Sequence, residues 1–195
     1  AEVIKIEVPN RGDLARQLGL DVELNQKLMG ATFLAQNSGK RSITINLKSE
    51  EGVAVFKRLV TTADVIVENF RPGVMDRLGV GYEVLKNLNA DLVYCAISGF
   101  GQEGPLKSRP AYDQIIQGMS GTMSITGDAE TAPLRVGFPI ADTIGGMTAA
   151  FAISAALAKK DGKRGTFIDV SMLESVMSTM GFAISNYFNA NQQPQ

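Results

Sequence analysis

Residues 63–79 read ADVIVENFRPGVMDRLG, and this stretch decides the predicted fold. Ala63 to Glu68 is rich in β-branched residues and predicts a strand. Pro72 suits the first position of a helix over Val74 to Leu78, because proline there leaves no N–H group unpaired. A strand that passes through a Pro-Gly turn into a helix is typical of a parallel sheet with crossover helices.

The same alternation extends in both directions along the chain. Strands are predicted at Glu2–Val8, Ser42–Leu47, Asp91–Ser98 and Phe167–Val170, and helices at Glu50–Val60, Tyr82–Leu88, Gln114–Met123, Thr143–Lys160 and Ser171–Ala190. This order favours an α/β fold, an open parallel sheet with helices on both faces. The helix over 143–160 is apolar or small on every side, which predicts a buried helix. Its uncharged run is short for a membrane span.

The composition excludes several kinds of site. The chain has 195 residues, 45% hydrophobic and 20% charged, with a net charge of −1. That balance gives no general attraction to nucleic acid or to an anionic membrane. The chain has no histidine, so it cannot alone supply a Ser-His-Asp site or a His-ligated zinc. Cys95 is the only cysteine, which excludes an internal disulfide and favours a reducing cytoplasm.

Both ends of the chain suggest a piece of a longer protein. The chain opens inside the strand at Glu2–Val8 without an initiating Met, and a parallel sheet needs a crossover before such a strand. The tail Asn189–Gln195 is polar and follows a helix without a pattern that closes a domain. A natural chain of this length with frayed ends is the alternative.

Gly99 to Gly104 reads GFGQEG and fits the dinucleotide pattern GxGxxG after a strand. Glu103 and Pro105 replace the apolar helix opening that the pattern needs, because the phosphate should lie on a helix N-terminus. A flexible loop at the border of a pocket is therefore favoured over a nicotinamide or flavin site.

Three cations lie near the predicted carboxyl ends of strands, where open α/β sheets bind their ligands. Lys48, Arg71 and Arg77 could hold phosphates, Asn69 could donate hydrogen bonds, and Phe70 could supply an apolar platform. Solvated surface charge beside an ordinary Pro-Gly turn is the alternative, and charge and position alone favour it.

Asp142 lies at the head of the apolar helix and has two interpretations. It could be an N-cap or first-turn acid, stabilised by the helix dipole by about 1 kcal/mol. It could also be a carboxylate nucleophile at the edge of a pocket, where Gly145 and Gly146 let a ligand approach the backbone. Taken alone, the local pattern favours the cap.

Several motifs in the same order resemble the class III CoA-transferase family, also called CaiB–BaiF. This family includes formyl-CoA transferase, carnitine CoA-transferase and 2-methylacyl-CoA racemase. The matching segments are Val3–Glu7, Asn37–Ile43, Ala63–Gly79, Ser98–Pro105, Asp142 and Lys163–Met172. The resemblance implies that residues 1–195 are part of a Rossmann-like, CoA-binding large domain. It also implies that a first strand and helix, a C-terminal half and a smaller domain lie outside this chain.

The resemblance also implies roles for individual residues. Asp142 matches the catalytic aspartate, which forms an aspartyl-CoA thioester. The implied coenzyme A contacts are Lys48, Asn69, Phe70, Arg77 and Met172, and Arg71 joins them by its position. Tyr112, Asp113 and Gly101 are expected in the substrate pocket. Val8 and Pro110 depart from formyl-CoA transferase, which has an arginine and a lysine there, so coenzyme A contacts are expected to differ.

The implied activity is transfer of coenzyme A from an acyl-CoA to a carboxylic acid, without a metal. The resemblance further implies a cytoplasmic homodimer of interlocked rings that binds neither nucleic acid nor membrane. A racemase is one alternative, but racemases of the family carry a histidine where this chain has Tyr112. A non-catalytic CoA-binding fragment is the other alternative.

Overall fold

The fold is described here from a computed structural model, which covers residues 1–159 and 165–190. The chain divides into two compact units, Ala1–Leu59 and Val60–Gln195. Every paired strand in the described residues is parallel to its neighbour, and at least one helix lies between each two successive strands. The predicted α/β class with parallel strands is therefore confirmed, although the strands form two sheets, of two and three strands.

The first unit contains the two-stranded sheet. Its elements are β1 (Ile4–Glu7), a 3-10 turn (Leu14–Gln17), α1 (Val22–Gln26), α2 (Ala31–Asn37), β2 (Arg41–Thr44) and α3 (Glu50–Val60), which ends at the boundary. The strand β1 pairs with β2, with Glu7 opposite Thr44. The Oγ of Ser49 accepts the N–H of Gly52 at 3.1 Å, which caps the start of α3.

A buried carboxylate, Glu7, organises the chain around β1. Its oxygens accept hydrogen bonds from Nε and Nη2 of Arg16 at 2.6 and 2.7 Å, and from Oγ of Ser42 at 2.6 Å. The backbone N–H of Asp13 donates a further bond at 2.8 Å. The Arg16 guanidinium holds the pKa of Glu7 at about 2, against the opposing effect of burial. Glu7 is therefore ionised and fully partnered at neutral pH.

The second unit contains the three-stranded sheet, in the order β3-β4-β5. Its elements are β3 (Val65–Glu68), α4 (Val74–Arg77), α5 (Tyr82–Leu85), β4 (Val93–Ser98), α6 (Asp113–Met119), a 3-10 turn (Thr122–Ile125), α7 (Ile140–Leu157), β5 (Thr166–Ser171), α8 (Met172–Thr179) and α9 (Gly181–Ala190). The central strand β4 is almost entirely buried, as its continuous apolar sequence requires.

Helices cover both faces of this sheet. On one face, Cys95 of β4 and Val170 of β5 pack against Ala149 of α7. On the other face, Tyr82 of α5 lies against the stacked rings of Tyr94 and Phe167, with ring centroids 5.2 to 5.7 Å apart. The prediction of helices on both faces is confirmed for this sheet.

The predicted burial of the apolar helix on every side is wrong. The helix α7 packs on β4, β5, α6 and α8, but Met147 is 68% exposed and Phe151 is 79% exposed. Within the described residues nothing covers this outer face, and the sequence pattern cannot show how many sides have a neighbour. By length and composition α7 could also cross a membrane, a property that core helices of soluble proteins share.

Two further predicted helices have different bounds. The helix predicted over 171–190 is interrupted at Met180, because α8 ends at Thr179 and α9 begins at Gly181. The helix predicted over 114–123 ends at Met119, and Gly121 has a φ of +86°, a left-handed conformation that glycine adopts readily.

Candidate active site

The carboxyl ends of the three parallel strands meet at one edge of the sheet. Glu68 lies opposite Ala96, and Ser98 lies opposite Ser171, so the segments that follow β3, β4 and β5 are neighbours. These segments carry five of the residues predicted from sequence: Asn69, Phe70 and Arg71 after β3, Gly101 after β4, and Met172 after β5. The fold therefore brings these residues to the edge where open α/β sheets bind ligands.

Asp142 lies in the first turn of α7, as the third helical residue, and is exposed. Pro139 occupies the N-cap position, and no side chain of α7 makes the cap hydrogen bond. The interpretation of Asp142 as an N-cap is therefore wrong, whereas its place in the first turn is confirmed. Partial shielding from water raises the pKa of the Asp142 carboxyl, and the negative charge of Asp113 raises it further.

The residue before Asp142 is packed in a core cluster of the second unit. Ala141 is fully buried in a cluster with Phe100 of the glycine loop, Ile116 of α6 and Val176 of α8. Three other segments of the second unit therefore meet directly beside Asp142. This packing holds the start of α7, next to the exposed carboxylate of Asp142.

Tyr112 and Asp113 lie at the start of α6 and differ sharply in exposure. Tyr112 is 74% exposed, whereas Asp113 is 6% exposed. The Oδ1 of Asp113 accepts the backbone N–H of Ala141 at 2.7 Å and that of Asp142 at 3.3 Å. Asp113 is thus a buried cap of α7, and Tyr112 is the member of the pair that is free to meet a ligand.

Two glycines follow Asp142 on α7 and differ in the space around them. A Cβ at Gly145 would lie 3.2 Å from Cγ of Met172, so the absence of a side chain there makes room for the start of α8. A Cβ at Gly146 would meet no atom within 4 Å. The backbone of α7 is therefore open at Gly146, one turn after Asp142.

The predicted phosphate-binding cations are available for a ligand. Within residues 1–159 and 165–190, neither Arg71 nor Arg77 forms an ion pair, and both are exposed. Gly73 lies between them with a φ of +76°, and a Cβ there would lie 3.3 Å from Nη1 of Arg77. Phe70 is 45% exposed. Lys48 is also exposed and belongs to the first unit, in the turn after β2.

The glycine loop has the predicted character. No helix opens between Gly99 and Tyr112, so the N-terminus that a dinucleotide phosphate requires is missing there. Gly101 has a φ of +82°, and the N–H of Gln102 donates to Oδ2 of Asp169 at 2.8 Å. This bond ties the loop to β5. The segment 99–105 is therefore a loop, as predicted.

One pocket beside the strand ends was missed from the sequence. It has a volume of about 360 Å³ and is lined by Glu68, Gly73, Met75, Asp76, Tyr82, Glu83, Tyr94, Gln102 and Phe167, but not by Asp142. Glu68 accepts the N–H of Phe70 at 2.7 Å, and burial raises the pKa of Glu68 to about 7. The sequence did contain a signal for this pocket, because Glu68 is a carboxylate at the end of an apolar strand. The alternation of side chains along the strand places Glu68 on the same face of the sheet as Tyr94.

Among the residues that the structure describes, no cluster of three or more His, Cys, Asp or Glu side chains could hold a metal ion.

Comparison with known proteins identifies the family. The sequence model of CoA-transferase family III matches residues 1–195. The chain is 41% identical over 199 residues to succinate–glutarate CoA-transferase of Agrobacterium fabrum, covering 100% of this chain and 50% of that protein. It is 44% identical over 196 residues to acetyl-CoA:oxalate CoA-transferase of Acetobacter aceti, covering 100% and 49%.

A solved structure agrees with these matches. A CaiB/BaiF family protein from Brucella suis superposes with a TM-score of 0.91 at 39% identity, covering all of this chain and 52% of that one. The chain spans about half the length of the curated relatives that it matches. A full-length family match, two relatives near 40% identity and a shared fold lead to one conclusion: the chain belongs to CoA-transferase family III.

Proposed function

We propose that the protein transfers coenzyme A from an acyl-CoA thioester to a carboxylic acid, with Asp142 as the covalent nucleophile. The observation that carries this proposal is the position of Asp142. Its carboxylate is exposed in the first turn of α7, directly after the buried Ala141 and three residues before Gly145, which faces Met172 at the end of β5. Membership of CoA-transferase family III supports the type of reaction.

The proposed reaction has two matched halves. A carboxylate oxygen of Asp142 attacks the thioester carbonyl, the C–S bond breaks, and an aspartyl-acyl anhydride and a CoA thiolate form. The thiolate then attacks the aspartyl carbonyl and expels the donor acid, which leaves aspartyl-CoA. The acceptor carboxylate repeats the sequence in reverse, so acceptor acyl-CoA and free Asp142 result. Each step exchanges one activated acyl group for another.

Two features of the site suit a carboxylate nucleophile. The raised pKa of Asp142 makes its carboxylate more basic than an ordinary aspartate, and basicity favours attack on a carbonyl. The first turn of α7 also presents backbone N–H groups and the positive end of the helix dipole, which favour the ionised form. The helix start therefore favours the ionised carboxylate, while partial burial and Asp113 make it more basic.

The coenzyme A contacts belong to the same proposal. Arg71 and Arg77 would bind phosphates by charge-assisted hydrogen bonds, and Asn69 and Phe70 would contact the cofactor arm. Met172 would lie beside the nucleotide, next to the open backbone of α7. The resemblance also implies a coenzyme A contact for Lys48, which is exposed in the turn after β2. A homodimer and a cytoplasmic location remain predictions from the resemblance.

The acids of the relatives suggest the substrate class. The names of the matched relatives include succinate, glutarate, oxalate and malate, all of them dicarboxylic acids. We therefore include small dicarboxylic acids and their CoA thioesters among the proposed substrates of this protein.

The test is to trap the covalent intermediate. The protein from its complete reading frame is incubated with succinyl-CoA, acetyl-CoA or oxalyl-CoA and quenched with hydroxylamine or borohydride. We expect the peptide that contains Asp142 to carry the modification, as a hydroxamate or as a reduced side chain, in mass spectrometry. The thioester that labels most strongly identifies the donor.

Two results would contradict the proposal. Label on another carboxylate would show that a different residue is the nucleophile. An unlabelled protein that binds acyl-CoA and releases an α-deuterium from a 2-methylacyl-CoA, without an acceptor acid, would identify a racemase.

The two glycines of α7 allow a matched pair of variants. We expect Gly146→Ala to raise the free energy of unfolding by roughly 0.5–1 kcal/mol, because alanine suits a helix interior and finds open space. If acyl-CoA approaches the backbone there, its KM rises in the same variant. Gly145→Ala gains less stability because its methyl group meets Met172. Urea unfolding and steady-state kinetics measure both effects, and an unchanged KM for Gly146→Ala would place the ligand elsewhere.

A further inference from the structure

The start of α7 needs hydrogen-bond acceptors that its own sequence does not provide. The first N–H groups of a helix have no partner inside the helix, and Pro139 offers no side-chain acceptor. In this structure the acceptor comes from a different helix, because Oδ1 of Asp113 on α6 accepts the N–H groups of both Ala141 and Asp142. The helix that carries the nucleophile is therefore capped by a residue 29 positions earlier in the chain than Asp142.

The other oxygen of Asp113 is also held. The Nε2 of Gln117 donates to Oδ2 of Asp113 at 2.6 Å, and the Oε1 of Gln117 accepts the N–H of Val136 at 2.8 Å. Gln117 is fully buried. Both oxygens of the carboxylate and both polar atoms of the amide thus have protein partners. This chain of bonds, Val136 to Gln117 to Asp113 to α7, is called the capping relay below.

We propose that Asp113 is a positioning residue for Asp142, and that the capping relay sets both the placement and the reactivity of the nucleophile. This inference rests on the proposed function of Asp142. Asp113 is 6% exposed and both of its oxygens accept hydrogen bonds from the protein, so it acts through α7. The placement follows from the bond to the N–H of Asp142 itself.

The effect on reactivity is electrostatic. Within the described residues, Asp113 is the charged group whose field raises the pKa of Asp142, in addition to partial burial. The other elements that pack on α7 present uncharged groups to it: Met172 of α8 at Gly145, Phe100 of the glycine loop at Ala141, and apolar side chains of β4 and β5. Asp113 therefore makes Asp142 a stronger base than the helix terminus alone would allow.

A pair of variants separates placement from charge. In Asp113→Ala both are lost. In the double variant Asp113→Asn with Gln117→Glu, the relay can form with its polarity reversed, because the Asn Nδ2 donates to the new carboxylate and that carboxylate still accepts the N–H of Val136. The Asn Oδ1 still accepts the N–H groups of α7. The double variant therefore keeps the bonds but moves the negative charge from position 113, which is bonded to the N–H of Asp142, to position 117, one turn along α6.

The experiment uses the protein from its complete reading frame and measures kcat, KM for acyl-CoA, and the pH dependence of Asp142 labelling. We expect kcat of Asp113→Ala to fall roughly 100-fold with little change in KM, since small displacements of a reacting group have effects of that size. We expect the double variant to recover most of kcat. The acid limb of its pH profile is the range in which the labelling rate falls as Asp142 is protonated. This limb should lie at a lower pH than in the wild type, because the Asp142 carboxyl loses a neighbouring negative charge.

The outcomes separate this inference from the proposed function. If Asp142→Ala turns over normally, the proposed function fails, whatever Asp113 does. If Asp142→Ala is inactive but Asp113→Ala keeps the wild-type kcat, or kcat of the double variant stays low, the positioning role of Asp113 is overturned. A wild-type acid limb in the double variant overturns its electrostatic role. The nucleophile stands in each case. Should Asp113→Ala not fold, as judged by circular dichroism, the double variant alone decides between these results.

Discussion

Asp142→Ala is expected to abolish CoA transfer, with a loss in kcat of roughly four orders of magnitude or more. A covalent nucleophile has no substitute within the site, and removal of such a group produces losses on this scale. Asp142→Asn should be nearly as inactive, because an amide cannot form the anhydride. Acyl-CoA binding should stay within a few-fold of the wild type, since the proposed coenzyme A contacts lie on other segments.

Asp91→Asn is the matched control. Asp91 is an exposed carboxylate just before β4, at the amino edge of the sheet, opposite the edge that carries the candidate site. Its loss should leave kcat and KM unchanged. The measurement is transfer of coenzyme A between two acids, followed by liquid chromatography of the thioesters. Activity retained in Asp142→Ala at more than a few per cent would remove Asp142 from the mechanism.

Glu7→Ala is expected to lower the free energy of unfolding by roughly 3–5 kcal/mol, the usual cost of removing one partner of a buried ion pair. The Glu7 side chain is 2% exposed and that of Arg16 is 19% exposed, so the guanidinium would be left largely buried without its partner. The exposed pair of Glu23 and Lys27 provides the control, with side chains 75% and 63% exposed. Glu23→Ala should change stability by no more than about 0.5 kcal/mol. Urea unfolding at pH 7, followed by circular dichroism, compares the two variants.

The low pKa of Glu7 also predicts the direction of acid sensitivity. Its carboxyl has a pKa of about 2 in the folded protein against an ordinary value of 4.5, so the folded state favours the ionised form. The resulting stabilisation is present above pH 4.5 and is lost as the pH falls from 4.5 towards 2. Glu7→Gln should be less stable than the wild type at pH 7, and its stability should fall less over that range. Parallel curves for the two proteins would contradict the assigned role of Glu7.

Two elements with strong local patterns lie where they were predicted, although other helices have different bounds. The strand over 63–68 and the helix over 50–60 carry strong signals, namely β-branched residues and a Ser49 cap with acids in the first turn, and the structure contains both. The short helices α1 and α2 were missed, because segments of five and seven residues carry little periodicity.

The parts of the site that depend on distant contacts could not be predicted. The sequence places Asp142 near the head of a helix, but α7 begins three residues earlier than the apolar run suggests. Its first N–H groups find their acceptor in Asp113, and no local pattern reveals a cap from another helix. The exposure of Phe151 could not be predicted for the same reason, because it depends on which segments pack against α7. The coenzyme A contacts came from resemblance to a family.

The capping relay also has a consequence for local opening of the native state. The amide protons of Val136 and Ala141 lie in different segments, yet both are bonded to side chains of α6, and Ala141 is fully buried. Solvent can reach the buried proton of Ala141 only when α6 moves away from α7, so this amide should exchange with deuterium when α6 opens. The slow-exchanging protons near the nucleophile would then report the stability of α6, a helix that carries no nucleophile of its own.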